Sequence, residues 1–115
     1  MFDLNEVTLR GTLTQAPVFR DTKNNTRMCS FTLSVKRKDP SQIRDFLDVV
    51  AWGRTAQAME GLFNAGDAVE VKGGIRRNVY TDDSGQKRVR WEISADRADL
   101  FVPEYEGEIL PEEEG

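Results

Sequence analysis

Apolar and polar positions alternate along most of the chain, and the alternation divides it into segments. In residues 6–13, EVTLRGTL, Val7, Leu9, Gly11 and Leu13 share one side while Thr8, Arg10 and Thr12 share the other. This period of two is the signature of a half-buried strand, and Gly11 inside it marks a bulge or a close backbone approach. The next stretch, TQAPVFRDTKNNT, breaks the pattern with Pro17 and Asn24-Asn25, turn chemistry that starts a return. In MCSFTLSVKRK, Cys29, Phe31, Leu33 and Val35 alternate with Ser30, Thr32, Ser34 and Lys36, the cleanest strand in the sequence. After a loop at Asp39-Pro40-Ser41, RDFLDVVAWGR makes a third strand. Its Leu47, Val49 and Ala51 form a plain apolar face, and its Phe46, Asp48, Val50 and Trp52 form a face of rings and charge.

The period then changes. In TAQAMEGLFNAGD the apolar residues Ala56, Met59, Leu62 and Phe63 fall at helical spacing. Thr55 is the expected N-cap and Gly66 the expected left-handed end of a helix of about ten residues. Two further strands follow. AVEVKGGIRRNVY places Val69, Val71, Gly73 and Ile75 inward, and KRVRWEISA puts Val89, Trp91, Ile93 and Ala95 on one face, with TDDSGQ as the hairpin loop between them. ADLFVP closes the body, and Pro103 marks its expected end. Three strands, a helix and two strands is the order of the OB-fold: an all-β, five-stranded Greek-key barrel with one short helix between strands 3 and 4. A β-sandwich fragment or another small barrel is compatible with the same order.

Composition narrows the function. The 115 residues are enough for one core and too few for two. No apolar run approaches the ~20 residues of a membrane helix. The opening MFDLNEV lacks the features of a secretory signal and Cys29 is the single cysteine, so a reducing cytoplasm is the expected compartment. The net charge of −4 is unevenly spread. Six of the 20 acids lie in residues 104–115, which hold no base, leaving 14 acids against 16 bases and a charge of +2 in residues 1–103. The chain thus reads as a mildly basic domain, residues 1–103, with a short acidic tail, residues 104–115, a layout met in nucleic-acid-binding proteins. A tail that only aids solubility fits the same composition.

The polar faces supply the candidate chemistry. Strand three turns Phe46 and Trp52 outward; strand four turns out Lys72, Arg76, Asn78 and Tyr80; strand five turns out Arg88 and Arg90; strand two ends in Lys36-Arg37-Lys38. Unpaired bases stack on such rings while phosphates seek the cations, giving binding that depends little on sequence. A lone Trp or Phe in a strand is more often core. Here, though, Phe46 and Trp52 both lie opposite Leu47, Val49 and Ala51, and Tyr80 shares its face with Lys72 and Arg76. Trp91 groups with Val89 and Ile93, which makes it core or a subunit contact rather than a nucleic-acid contact.

At these residues the sequence resembles the bacterial and phage single-stranded DNA-binding proteins. The resemblance rests on LNEVTLRGTLTQAPVFR, FTLSVKR, RDFLDVVAWGRTAQ, NAGDAVEVKGGIRR and YTDDSGQKR, and it covers about residues 4–102. It implies an OB-fold that assembles as a homotetramer, with a dimer as the alternative. It also implies coating of single-stranded DNA in replication, recombination and repair, with no catalytic activity. Stacking rings occupy the family positions matching Phe46, Trp52 and Tyr80. Three departures stand out. Lys38-Asp39 falls where another ring is common, Asp48 places a negative charge between Phe46 and Trp52, and the ending EGEILPEEEG lacks a terminal aromatic. Weaker or more salt-sensitive binding follows from the first two. Recruitment of replication proteins does not follow from such a tail, for which Ile109 and Leu110 are the only substitute.

The candidate DNA contacts are therefore Phe46, Trp52 and Tyr80 for bases, and Lys36, Arg37, Arg54, Lys72, Arg76, Arg88 and Arg90 for phosphates. No catalytic residue, metal site or cofactor is expected. The sequence has no histidine, no Cys or His cluster and no phosphate-binding glycine motif, and Gly73-Gly74 reads as a kinked barrel strand. A protein-interaction OB module or an RNA-binding one remains the alternative, since stacking is indifferent to the 2′-hydroxyl. The acidic tail is expected to compete with DNA for the basic groove.

Overall fold

The computed structural model describes residues 2–102. The chain runs β1 (Val7–Leu13), β2 (Val18–Asp21), β3 (Arg27–Lys36), β4 (Arg44–Trp52), α1 (Gly53–Met59), β5 (Ala68–Thr81) and β6 (Lys87–Leu100). The strands lie in the order β1-β5-β6-β4-β3-β2, and a further pairing of β1 with β3 closes the five long strands into a barrel. This is the OB-fold. The short β2 sits outside the barrel and pairs only with β3, from Val18–Ser30 to Asp21–Arg27. The turn chemistry of Pro17 and Asn24-Asn25 concealed that strand. Counted with it, the helix falls between β4 and β5.

The apolar faces meet as their alternation requires. Leu13, Cys29, Leu33, Val49, Ala51, Val69 and Val71 are completely or almost completely buried. Each such aliphatic side chain contributes about 1.5–3 kcal/mol by leaving water. The Cys29 thiol is driven up to about pKa 11, chiefly by burial, and is inert. Gly11 pairs with Val69 one residue before Thr12, where β1 passes from β5 to β3. A side chain there would collide with the Ser34 carbonyl, so this is a close approach rather than a bulge. The bulge lies between Lys72 and Gly73, where a Cβ would run into the backbone of Ser94. It lets β5 bend from the barrel wall into a projecting arm.

The helix is shorter than its pattern predicts. It spans seven residues, starts directly after β4 with Trp52 in extended conformation at the N-cap, and has no side-chain cap, so Thr55 lies inside it. Gly53 (φ 58°) makes the reversal from strand to helix that no other residue makes as cheaply. The helix ends at Glu60, and Gly66 (φ 88°) is left-handed but belongs to the following turn. There its N–H donates to the Leu13 carbonyl at 2.9 Å, while the Leu13 N–H donates to the Asp67 carbonyl at 3.0 Å. Ala56, Met59 and Phe63 still plug the barrel as their spacing required.

Beyond the bulge β6 still pairs with β4 at Ile93 and Ser94, and from Arg76–Glu92 to Thr81–Lys87 β5 and β6 continue as a two-stranded arm with Ile75 at its base. Asp82 organises its tip. The carboxylate accepts from the Ser84 N–H at 2.9 Å, the Ser84 hydroxyl at 2.7 Å, the Gln86 N–H at 3.0 Å and the Arg88 Nε at 2.8 Å. Ile75, Val79, Val89 and Trp91 share one side of the arm and are exposed, Trp91 at 63%. The inward assignment of Ile75 is thereby corrected, and neither Trp91 nor Val89, which shares its face, is part of this chain's core. Alternation identifies which residues share a face; it does not say whether a barrel lies beneath that face. On the arm none does.

Candidate nucleic-acid interface

The outer side of the β3–β4 ladder is one row of cross-strand pairs: Met28–Trp52, Ser30–Val50, Thr32–Asp48, Ser34–Phe46 and Lys36–Arg44. The arm's second side carries Arg76–Glu92, Asn78–Arg90 and Tyr80–Arg88. Where ladder and arm face each other they enclose a groove of about 560 Å³. Its lining includes Trp52, Val50, Asp48, Ser30 and Thr32 from the ladder, Asn78, Tyr80, Arg90 and Glu92 from the arm, and Arg20 from β2.

Two of the three expected rings line this groove. Trp52 is 37% exposed and Tyr80 40%, so each is partly packed and partly open to solvent. The Arg90 guanidinium lies over Tyr80, 5.6 Å from the ring centroid. Phe46, 64% exposed, stands on the same strand face as Trp52 but outside the groove lining. Six residues of extended strand separate the two by up to about 20 Å. The rings therefore form a track with a gap, not one cluster. Val50, on the ladder's outer side, is 5% exposed and makes the groove floor.

The cations divide more sharply. Arg90 lines the groove; Arg76 and Arg88 lie on the same arm side as Tyr80. Arg88 is committed to Asp82. Lys36 sits at the far end of the ladder opposite Arg44. Arg37 donates to both oxygens of Asp45 at 3.0–3.3 Å, and that pairing raises its pKa further. Arg54 lies in the first turn of α1, outside the groove lining. Lys72 lies on the β1–β5–β6 wall, opposite Thr8 and Arg97, and is not brought to the groove.

Sequence reasoning missed Arg20, Arg44 and Glu92 as members of this surface. Arg44 Nε donates to the Ser34 hydroxyl at 2.6 Å, which holds it on the ladder beside Phe46. Its place one register step from Phe46 on the outer parity was a usable signal. Arg20 belongs to the strand that the turn residues hid. Inside the groove two cations, Arg20 and Arg90, meet two carboxylates, Asp48 and Glu92. The groove is thus formally neutral, and the other candidate cations lie outside it.

A closed OB barrel whose outer ladder and projecting arm bound a groove of rings and cations is a nucleic-acid-binding module. The comparison with known families makes it specific: residues 4–101 match the single-strand binding protein family, and the chain belongs to that family. It is 33% identical over 117 residues to the single-stranded DNA-binding protein of Caldanaerobacter subterraneus subsp. tengcongensis, covering 96% of this chain and 78% of the relative. It is 31% identical to single-stranded DNA-binding protein A of Bacillus subtilis, covering 90% of this chain and 63% of that one. With single-stranded DNA-binding protein 3 of Clostridium acetobutylicum it shares 34% identity, over 85% of this chain and 71% of the relative.

Proposed function

We propose that this protein binds single-stranded DNA by stacking bases on Trp52 and Tyr80 in the groove, and on Phe46 farther along the ladder. The family supports the activity and its general setting, the coating of single strands in replication, recombination and repair. The observation that carries the site is the convergence of Trp52, Tyr80 and Arg90 on one groove from separate strands. Stacking drives binding inside that neutral groove. Phosphates are held by Arg90 in the groove and by Arg76, Lys36 and Arg44 on its flanks, while Arg37 and Arg88, each paired with a carboxylate, and Arg54 and Lys72 contribute less.

The exposed apolar side of the arm supports self-association, as a dimer or tetramer. No catalytic role is proposed. The buried, unpaired Cys29 and the bacterial relatives support a cytoplasmic location. The acidic tail, residues 104–115, lies outside the described residues, and its competition with DNA stands as a proposal from charge alone.

Titration of tryptophan fluorescence with oligo-dT, alongside the solution mass, tests the reading. Quenching that saturates with oligo-dT and disappears in Trp52→Ala is the expected result. Saturable quenching by oligo-U alone would favour an RNA-binding module, and none with either would leave a protein-interaction module.

A further inference from the structure

The base of the arm is held along both edges, by different means. On the β6 edge the barrel itself holds it, because Ile93 and Ser94 pair with Val49 and Val50 of β4. On the β5 edge the ladder with β1 stops at Val7–Gly73, beside the bulge. One step farther in the same register Asn5 falls opposite Ile75, and there its side chain takes over from the backbone pairing. Asn5 Nδ2 donates to the Ile75 carbonyl at 2.7 Å, and the Ile75 N–H donates to Asn5 Oδ1 at 2.9 Å. A primary amide carries the same donor and acceptor as a peptide unit, so this is one more rung of an antiparallel ladder, made by a side chain. Beyond it, from Arg76–Glu92 outward, neither edge of the arm has a strand partner among the described residues.

Gly74 makes room for that rung. A Cβ there would lie 3.0 Å from the Asn5 carbonyl oxygen, 3.1 Å from Asn5 Oδ1 and 3.2 Å from its Cγ, each tighter than ordinary van der Waals contact. The paired glycines therefore serve different neighbours: Gly73 admits the Ser94 backbone at the bulge, and Gly74 admits Asn5. Asn5 is exposed and outside the groove lining, so it adds nothing to the core. What its two bonds fix is the residue at which the arm leaves the barrel. With that they set the angle of Arg76, Asn78 and Tyr80 to the ladder that carries Trp52.

We propose that Asn5 is a positioning residue for the groove: its side chain pins the base of the arm and so presets the distance between Tyr80 and the β3–β4 ladder. The proposal rests on the single-strand-binding reading above. Affinity scales with the fraction of molecules whose arm already stands in the binding position. Freed of Asn5, the arm pivots about the β4–β6 pairing alone, and that fraction falls.

Amide exchange and oligo-dT titration over a salt series, run on Asn5→Ala, test this. Exchange of the Ile75 amide is expected to accelerate about tenfold, with Val49 and Val71 in the barrel unchanged, and oligo-dT affinity to fall about fivefold, the scale of the hydrogen bonds removed. The slope of log K against log salt should stay the same, because no phosphate contact is lost. In a Tyr80→Ala background the loss should shrink to about twofold or less, since without that ring the arm's position matters less; a merely structural defect would weaken both proteins by the same factor. Gly74→Ala, which crowds Asn5 from the other side, should reproduce the faster Ile75 exchange and the weaker binding. An Ile75 amide that exchanges as in the wild type, an oligo-dT affinity unaltered by Asn5→Ala, or an equal loss with and without Tyr80 overturns the proposal. Any of these leaves single-strand binding standing as long as the wild type binds, whereas wild-type protein that binds no oligonucleotide defeats both.

Discussion

The Arg90 guanidinium lies over the Tyr80 ring, 5.6 Å from its centroid, and both residues line the groove. On the proposed stacking mode the ring would take a base and the guanidinium the adjoining phosphate. Tyr80→Ala is expected to weaken oligo-dT binding by about 1–3 kcal/mol at every salt concentration. Arg90→Ala is expected to lower the slope of log K against log salt by about 0.7, the value for one phosphate contact on a single strand. Equilibrium titrations across a salt series separate the two effects.

Not every outward cation is available for DNA. Arg37 is held by Asp45 in a two-oxygen pairing, whereas Arg76 is in none of the ion pairs among the described residues. Arg37→Ala removes a cation whose charge is already matched, so the salt slope is expected to stay nearly constant. Arg76→Ala is expected to reduce it. The same salt series, run on both variants, checks this; equal slopes would show that the Arg37–Asp45 pair opens on binding.

The arm tip depends on an ionised Asp82. Its pKa is held at about 2 by the Arg88 guanidinium first, then by the Ser84 hydroxyl and the Gln86 and Ser84 N–H groups. An unfolded aspartate titrates near ~3.9. The carboxylate's contribution to holding the tip is therefore complete above about pH 4 and is lost as pH falls through 2. Hydrogen exchange at Ser84 and Gln86 is expected to accelerate over that window relative to the barrel amides. In Asp82→Asn the acceleration should be present already at neutral pH and no longer vary with acid.

Two glycines separate crowding from backbone strain. At Gly73 an added methyl meets the Ser94 backbone at the bulge, which cannot move aside, and Gly73→Ala is expected to cost about 1–3 kcal/mol. At Gly53 the added methyl meets nothing, but φ is +58°, so Gly53→Ala is expected to cost about 1–2 kcal/mol through the backbone alone. Urea unfolding gives both values. Oligo-dT affinity should fall for Gly73→Ala, which displaces the arm, and change less for Gly53→Ala.

The barrel was legible because its alternation is strict where two strand faces meet a core. Val49 and Ala51 are fully buried, as their parity required, and Phe46 and Trp52 face out. The same parity failed at Ile75, because a bulge and the length of the arm, neither visible in alternation, carry that position past the barrel. The site was half legible. Rings and free cations announce themselves, but Glu92 does not, since its burial comes from the ladder lying across from it rather than from its own strand. Lys72 and Tyr80 share a face in the sequence, yet the bulge between them sends one to the barrel wall and the other to the groove.

Trp91, on the arm side opposite Tyr80, offers the test of the proposed self-association. With Ile75, Val79 and Val89 it makes a mainly apolar strip from two paired strands, each of the four at least 47% exposed, with Arg77 directly opposite Trp91. Such a strip on a two-stranded arm gains nothing within one chain, and covering it with the same strip of a second copy removes four large side chains from water at once. Trp91→Lys would place a second cation directly opposite Arg77 in that contact, where an unpaired buried charge is strongly unfavourable. The expected outcome is a fall in solution mass by light scattering, with the far-ultraviolet spectrum unchanged. Short oligo-dT binding should survive, because Trp52 and Tyr80 face the other way. Loss of affinity for long oligo-dT together with the loss of mass would mean that one strand is held by more than one copy, whereas an unchanged mass would remove the strip from assembly altogether.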